Sequence, residues 1–384
     1  MTPSYTFDVD IFRKRIENTG KALPGIPLVY SIKANPFLIP YIPEDIAHIE
    51  VCSPGELAIC KELDVAPEKI IYSGVLKEAA DVGEAISYGA GILTAESLLH
   101  LKLIKEAAEK AEKTVKVFLR LSSGNQFGMS LEDLKTALAE ASCCSHIDVI
   151  GLHYYSGTAK SLKAIEKDIA TLNETIENLR EKSGFKCGVL EYGPGLAAES
   201  FAPTDAECEQ KDMELLASVS PLLNDLGSQV NLSLEMGRFF AAPCGIYETT
   251  VKDLKTTDEV NYAIVNGGTH HLKYYGPNTA MKTPLAEQDA KDTDKTKDYA
   301  ICGALCTTAD VITRNISLKE LKIGDTLRFK RVGAYSVTEG SVLFLSRQMP
   351  AIYIRSTAAG TELIRKPFDS HRLNIPGIYL RFSP

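Results

Sequence analysis

The chain has 384 residues, 45% of them hydrophobic, with 42 Lys and Arg against 50 Asp and Glu and a formal net charge of −8. This length predicts two domains, and the acidic balance leaves no extended basic field to follow a phosphate backbone, which argues against a nucleic-acid partner. Nine cysteines, odd in number and without a paired Cys-x-x-Cys spacing, predict reduced thiols rather than a disulfide framework or a structural zinc site, so no metal is expected.

The first residues, Met1-Thr2-Pro3-Ser4-Tyr5-Thr6, show no basic region leading into an apolar stretch, and no later apolar run approaches about 18 residues. A soluble, cytoplasmic protein with no membrane partner is the expectation. From residue 9 to about 235, short apolar runs alternate with stretches of helical period. Eight runs begin near Leu28, Ile49, Ile70, Gly91, Val115, Ile147, Gly188 and Val230, and helical segments are predicted at 78–88, 95–113, 131–141, 162–182 and 213–226. Eight strands with eight crossovers predict an α/β fold, a (β/α)₈ TIM barrel over 9–240. The pattern then changes to β-branched and aromatic runs at 245–251, 262–266, 326–330, 342–345 and 352–354. These predict a C-terminal all-β domain over 241–384, of sandwich or barrel-like build and joined by residues 1–8. The polar stretch 276–298 reads as a solvated loop.

In such a barrel, function gathers at the carboxyl ends of the strands. The first end carries Ser31-Ile32-Lys33-Ala34-Asn35 after an apolar strand over 28–32. An amine held against apolar neighbours loses its charge more readily and can attack an aldehyde, as the lysine of a pyridoxal-phosphate enzyme does. Taken alone, a strand-end lysine is ordinarily a solvated residue or an ion-pair partner. Two further ends are glycine-rich, Gly193-Pro194-Gly195 and Met236-Gly237-Arg238, and together they suggest a phosphate cradle built from main-chain N–H groups. Pro194 has no N–H, so the donors would be Gly195, Leu196, Gly237 or Arg238. Glu235 ends the apolar run Asn231-Leu232-Ser233-Leu234 and needs a cation or a shared proton, from a pyridinium nitrogen or equally from Arg238 or another base.

One of Tyr154 and Tyr155 is expected to point into the barrel mouth, where it could stack on a flat ring or simply pack. His153 reads as a hydrogen-bonded interior residue, and the neighbours His270 and His271 cannot share a pocket from an extended segment. Cys306 sits among small residues in a loop that could project into a cleft, with a buried inert thiol as the default. Tyr335 could offer its hydroxyl to a phosphate or pack.

In their order these pieces resemble the fold-type III pyridoxal-phosphate decarboxylases, the group of diaminopimelate and ornithine decarboxylases with an alanine-racemase-like barrel. The resemblance runs from Thr2-Pro3-Ser4-Tyr5-Thr6-Phe7-Asp8 through Tyr30-Ser31-Ile32-Lys33-Ala34-Asn35, Cys52-Ser53-Pro54-Gly55-Glu56-Leu57, Gly151-Leu152-His153, the Gly-Pro-Gly turn, Glu235-x-Gly-Arg and the Cys306 loop to Gly333-Ala334-Tyr335. It implies pyridoxal 5'-phosphate as cofactor and an aldimine on Lys33, with Glu235 at the pyridine nitrogen and Tyr155 on the ring face. It further implies that Gly195, Gly237 and Tyr335, helped by Thr158, hold the phosphate, and that Arg238 meets phosphate or substrate. Cys306 would come from the other subunit of a homodimer with shared active sites and return a proton after carbon dioxide leaves.

Two departures bear on substrate. Tyr155 replaces the histidine that the best-known members set against the cofactor, and Thr307 replaces the acidic residue that follows their cysteine. A threonine cannot pair a distal ammonium group as a carboxylate does. The segment from Asn266 to Gly276, with Met281-Lys282 and Tyr155-Ser156-Gly157-Thr158, resembles the siderophore and antibiotic branch of the group. The implied reaction is decarboxylation of an amino acid or an amino-acid conjugate, of citrate-amide or carrier-protein-bound type. The alternatives are a free diamino acid (diaminopimelate, ornithine or lysine), then a racemase or a pyridoxal-phosphate-binding protein without turnover.

Overall fold

The computed structural model describes residues 2–274, 280–289 and 295–376. It divides into two compact units, one of Arg13–Ala197 with Asp212–Phe240, the other of Met1–Phe12, Ala198–Lys211 and Ala241–Pro384. The chain opens with strand β1 (Ser4–Asp8) and helix α1 (Val9–Ala22), then enters a closed barrel of parallel strands: β2 (Leu28–Ser31), β3 (Ile46–Val51), β4 (Ile70–Tyr72), β5 (Ile92–Ala95), β6 (Val115–Arg120), β7 (Ile147–Tyr155), β8 (Val189–Gly193) and β9 (Leu232–Met236). The helices between them are α2 (Pro54–Glu62), α3 (Ala79–Tyr88), α4 (Leu98–Lys110), α5 (Leu131–Ser142), α6 (Leu162–Ser183) and α7 (Asp205–Gln229), and α8 (Arg238–Ala241) follows the last strand. Four of these helices, α2, α4, α5 and α6, begin after a serine, Ser53, Ser97, Ser130 or Ser161, whose hydroxyl accepts the N–H three residues on. Each such cap satisfies a helix donor that would otherwise lack a partner.

Alternation along the strands separates the barrel interior into layers. Val29, Ile71, Ile92 and Phe118 form a buried apolar plug, with Ile150 and Val189 packed on it. Two residues further along stand Ser31 on β2, Ser73 just past β4, Thr94 on β5, Arg120 on β6 and Glu191 on β8, all buried. A period of two therefore sets a polar layer directly above the plug. Within it the Ser73 and Thr94 hydroxyls lie 3.0 Å apart, and Arg120 pairs with Glu96, just past β5, at 2.9 Å.

The second unit is strand-rich. Its strands are β1, β10 (Gly245–Thr257), β11 (Val260–Val265), β12 (Ala286–Gln288), β13 (Thr296–Cys302), β14 (Val311–Lys319), β15 (Thr326–Lys330), β16 (Gln348–Met349), β17 (Ala351–Ser356), β18 (Gly360–Arg365) and β19 (Phe368–Asp369). The main sheet runs β14-β13-β11-β10-β1-β17-β18, with β15 also on β10 and β12 on β15, while β16 and β19 pair separately. Tyr5, Phe7, Tyr247, Phe329 and Ile352 form its buried centre.

Three sequence expectations need correction. Residues 198–211 belong to the strand-rich unit, not the barrel, because the buried Arg331 donates to the Glu199 carbonyl at 2.5 Å and to Asp205 at 3.0 Å. The run 342–345 is no strand: it is a turn entering a short 3₁₀ segment (Phe344–Ser346), with Leu345 at φ 57°. The polar stretch 276–298 includes β12 and the start of β13, while 275–279 and 290–294 lie outside the described residues.

Candidate active site

Lys33 sits in a 3₁₀ turn (Ile32–Ala34) just beyond β2, and its surroundings are not the apolar ones expected. Its Nζ lies 2.5 Å from Glu50 Oε2, 3.2 Å from Glu235 Oε1 and 3.4 Å from Cys52 Sγ. Two carboxylates and a thiol hold the amine, and its side chain remains 36% exposed, open enough to meet a ligand. Glu235, at the end of β9, also accepts from the Ser31 hydroxyl at 2.6 Å and lies 3.1 Å from His153 Nε2. Burial alone would raise its pKa, but the Lys33 charge and the His153 bond outweigh that and hold its carboxyl well below the usual range.

Glu191 behaves oppositely. It is fully buried, neither oxygen has a hydrogen-bond partner among the described residues, and burial with the charges of Glu235 and Glu50 pushes its pKa well above the usual range. The site thus holds one ionised and one protonated carboxyl side by side, an arrangement that assigns them different roles. Ligand atoms of His153, Glu191 and Glu235 all lie within 4.8 Å of one another, but Lys33 already provides a cation at Glu235. Burial, then Glu50, raises the Cys52 thiol well above its usual pKa and keeps it protonated.

The two glycine turns lie at the ends of β8 and β9. A Cβ at Gly195 would run into the Gly157 carbonyl oxygen, and one at Gly237 would come within 3.0 Å of Ala34 and 3.1 Å of the Ser31 carbonyl. Gly195 also has φ 61°, which favours glycine. Among the described residues, the N–H groups of Gly195, Leu196 and Gly237 have no acceptor, so this end of the barrel offers the donors an anion requires. Thr158, in the loop after β7, and Arg238, the first residue of α8, are half-buried beside them. Tyr155 ends β7 against Gly193, where an added Cβ would meet its ring at 2.6 Å, so that glycine makes room for the aromatic.

Cys306, Thr307 and Tyr335 belong to the strand-rich unit. The Cys306 loop is pinned from beneath by the buried Asp310, which accepts from the Leu305 N–H at 2.8 Å and from the Thr269 N–H and hydroxyl at 2.7 and 2.8 Å. Cys306 and Thr307 are left exposed at its crest, so the buried default for this thiol does not hold. Tyr335 adopts φ 67°, a costly conformation for a bulky residue and one that clusters at functional positions. His270 and His271 do not extend: the N–H groups of His271 and Leu272 fold back on Gly268, and the two buried rings lie 3.7 Å apart.

Residues 9–242 match the family described as pyridoxal-dependent decarboxylase, pyridoxal binding domain. The chain belongs to the pyridoxal-dependent decarboxylases. It is 26% identical to an L-glutamyl-[BtrI acyl-carrier protein] decarboxylase of Niallia circulans, over 95% of this chain and 91% of that one. It is 25% identical to a 2-[(L-alanin-3-ylcarbamoyl)methyl]-2-hydroxybutanedioate decarboxylase of Staphylococcus aureus, over 92% and 94%. It is also 25% identical to a diaminopimelate decarboxylase of Aquifex aeolicus, over 95% and 89%. The solved diaminopimelate decarboxylase of M. jannaschii has the same fold, with a TM-score of 0.84 at 22% identity, covering 98% of this chain and 92% of that one.

The cofactor of this pyridoxal-dependent decarboxylase is pyridoxal phosphate, and the barrel residues fit it: an amine in reach of solvent, an ionised carboxyl for a ring nitrogen, and N–H groups at a glycine cradle that have no acceptor among the described residues. Sequence reasoning missed Glu50, the nearest partner of Lys33, and Glu191. Both are carboxylates inside apolar strands, the same signal that singled out Glu235.

Proposed function

We propose that this decarboxylase removes the α-carboxylate of an amino acid already joined to a larger acid or to a carrier protein. Bound pyridoxal phosphate would supply an electron sink for the pair left on Cα when carbon dioxide departs. Lys33 is the amine that holds it, and Glu50 Oε2, 2.5 Å from Nζ, is the group in reach to take the proton that amine must lose before it can attack. Glu235, kept ionised by Lys33 and His153, would hold a proton on the ring nitrogen. Tyr155 would stack on the ring face, and Gly195, Gly237, Thr158 and Tyr335 would bind the phosphate. Arg238 would meet phosphate or substrate. The exposed Cys306 would return a proton to Cα from a second copy of the chain, with Thr307 beside it facing the substrate.

The observation that carries the reaction class is the Lys33, Glu50, Glu235 and His153 cluster at the mouth of the barrel. The observation that carries the substrate class is Thr307, which has no charge to pair a distal ammonium group. The 25% identity to a diaminopimelate decarboxylase supports a second reading, a free diamino acid. Both are tested by incubating the holoenzyme with free diamino acids, citrate-amide conjugates and carrier-bound amino acids while following carbon dioxide and product mass. Turnover of conjugates supports the proposal, and efficient turnover of free ornithine, lysine or diaminopimelate refutes it.

A further inference from the structure

Lys160 lies behind the glycine cradle and is buried with its partner Asp168, their side chains only 8% and 9% exposed. Its Nζ donates to Asp168 Oδ2, and reaches Ser156 Oγ at 3.0 Å, Tyr192 Oη at 3.3 Å and the Gly193 carbonyl at 3.3 Å. Its backbone N–H donates to the Gly195 carbonyl at 3.1 Å. Asp168 is itself held by the Ser156 hydroxyl at 2.7 Å and the Tyr192 hydroxyl at 2.9 Å. A Cβ at Gly195 would lie 3.0 Å from Lys160 Cε, so turn and lysine are packed in direct contact.

An ion pair removed from water gains little stability over apolar groups of the same volume, so stability alone does not account for it. Its geometry does. Each residue of the turn has a carbonyl that would repel an anion and, except at Pro194, an N–H that would attract one. Lys160 engages the carbonyls of both Gly193 and Gly195, while the N–H groups of Gly195 and Leu196 have no acceptor among the described residues. We propose that Lys160, fixed by Asp168, is a positioning residue that turns the carbonyls of the glycine loop backward so that its N–H groups face the cofactor phosphate. The inference rests on the reading that this cradle takes that phosphate.

A scaffold role would weaken binding of any cofactor form, whereas this role acts through the phosphate alone. The test compares affinities of the full-length cofactor-free protein for pyridoxal phosphate and for pyridoxal, with the ³¹P resonance of the bound cofactor as a second readout. In Lys160→Met the expected result is a loss of about tenfold or more for pyridoxal phosphate, pyridoxal binding within about twofold of wild type, and a displaced ³¹P resonance, with Lys160→Arg restoring part of the difference. The double variant Lys160→Met, Asp168→Asn leaves no buried charge unpaired, and should show the same selective loss if a single variant does not fold. Parallel losses for both ligands, or no loss with an unmoved ³¹P resonance, would overturn the inference while leaving the cofactor site in place. A wild-type protein that binds pyridoxal as tightly as pyridoxal phosphate would overturn the cradle reading itself.

Discussion

Lys33 and Lys160 are both lysines just beyond barrel strands, both paired with carboxylates, and their surroundings make them different chemical objects. Lys160 has a compact shell of acceptors around its Nζ and is closed off from water. Lys33 lies between two carboxylates and a thiol, keeps about a third of its side chain in solvent and stands near Glu191, whose oxygens lack hydrogen-bond partners among the described residues. A cation whose contacts are all made locally serves as a fastener. One left open beside an ionised carboxyl and a protonated one is set for exchange of protons and bonds.

The contrast can be broken at several points. Lys33→Ala should remove the reactive amine and lower kcat/KM by at least about 10³-fold without unfolding the chain, as steady-state assay and circular dichroism would show. Asp168→Asn should act on the fold, costing about 3–5 kcal/mol in denaturant unfolding because it strands the Lys160 charge, and adding Lys160→Met should recover most of that. Glu235→Gln should lower kcat about 10²-fold, since an amide cannot hold the ring-nitrogen proton. Glu191→Gln should change turnover by no more than about threefold, because a protonated carboxyl and an amide are near-isosteres.

The last variant also has a signed pH signature. With its folded pKa raised above the ordinary 4.5, the native state keeps a proton that the unfolded chain gives up as pH rises. Wild type therefore loses stability as pH climbs from about 4.5 towards the folded value, and Glu191→Gln does not. The stability advantage of the variant should open above that pH, as urea titrations would show. A gap that closes with rising pH would contradict the protonated assignment.

Much of this was legible in the residues. The barrel strands announce themselves because buried parallel strands are short apolar runs between amphipathic helices, and Lys33, Glu235 and the glycine turns stand out as residues that such strand ends do not need for folding. The strands β13 and β14 escaped notice because charged and polar residues such as Lys297, Asp298, Arg314 and Asn315 break up their pattern. Leu343, Phe344 and Leu345 misled in the opposite sense, an apolar run that is 45–48% exposed and turns instead of extending. The Lys160 network was invisible because its partners come from the loop after β7, from β8 and from α6, and only closure of the barrel brings them together.

The central claim, that one lysine holds the cofactor while its buried counterparts do not, is tested most directly by locating the cofactor bond. The holoenzyme is reduced with borohydride, digested and sequenced by tandem mass spectrometry. A phosphopyridoxyl group on Lys33 alone is the predicted result. Its appearance on Lys160 or on Lys77, a lysine beyond β4 that is only 4% exposed, or on no lysine of a yellow protein, would contradict the account.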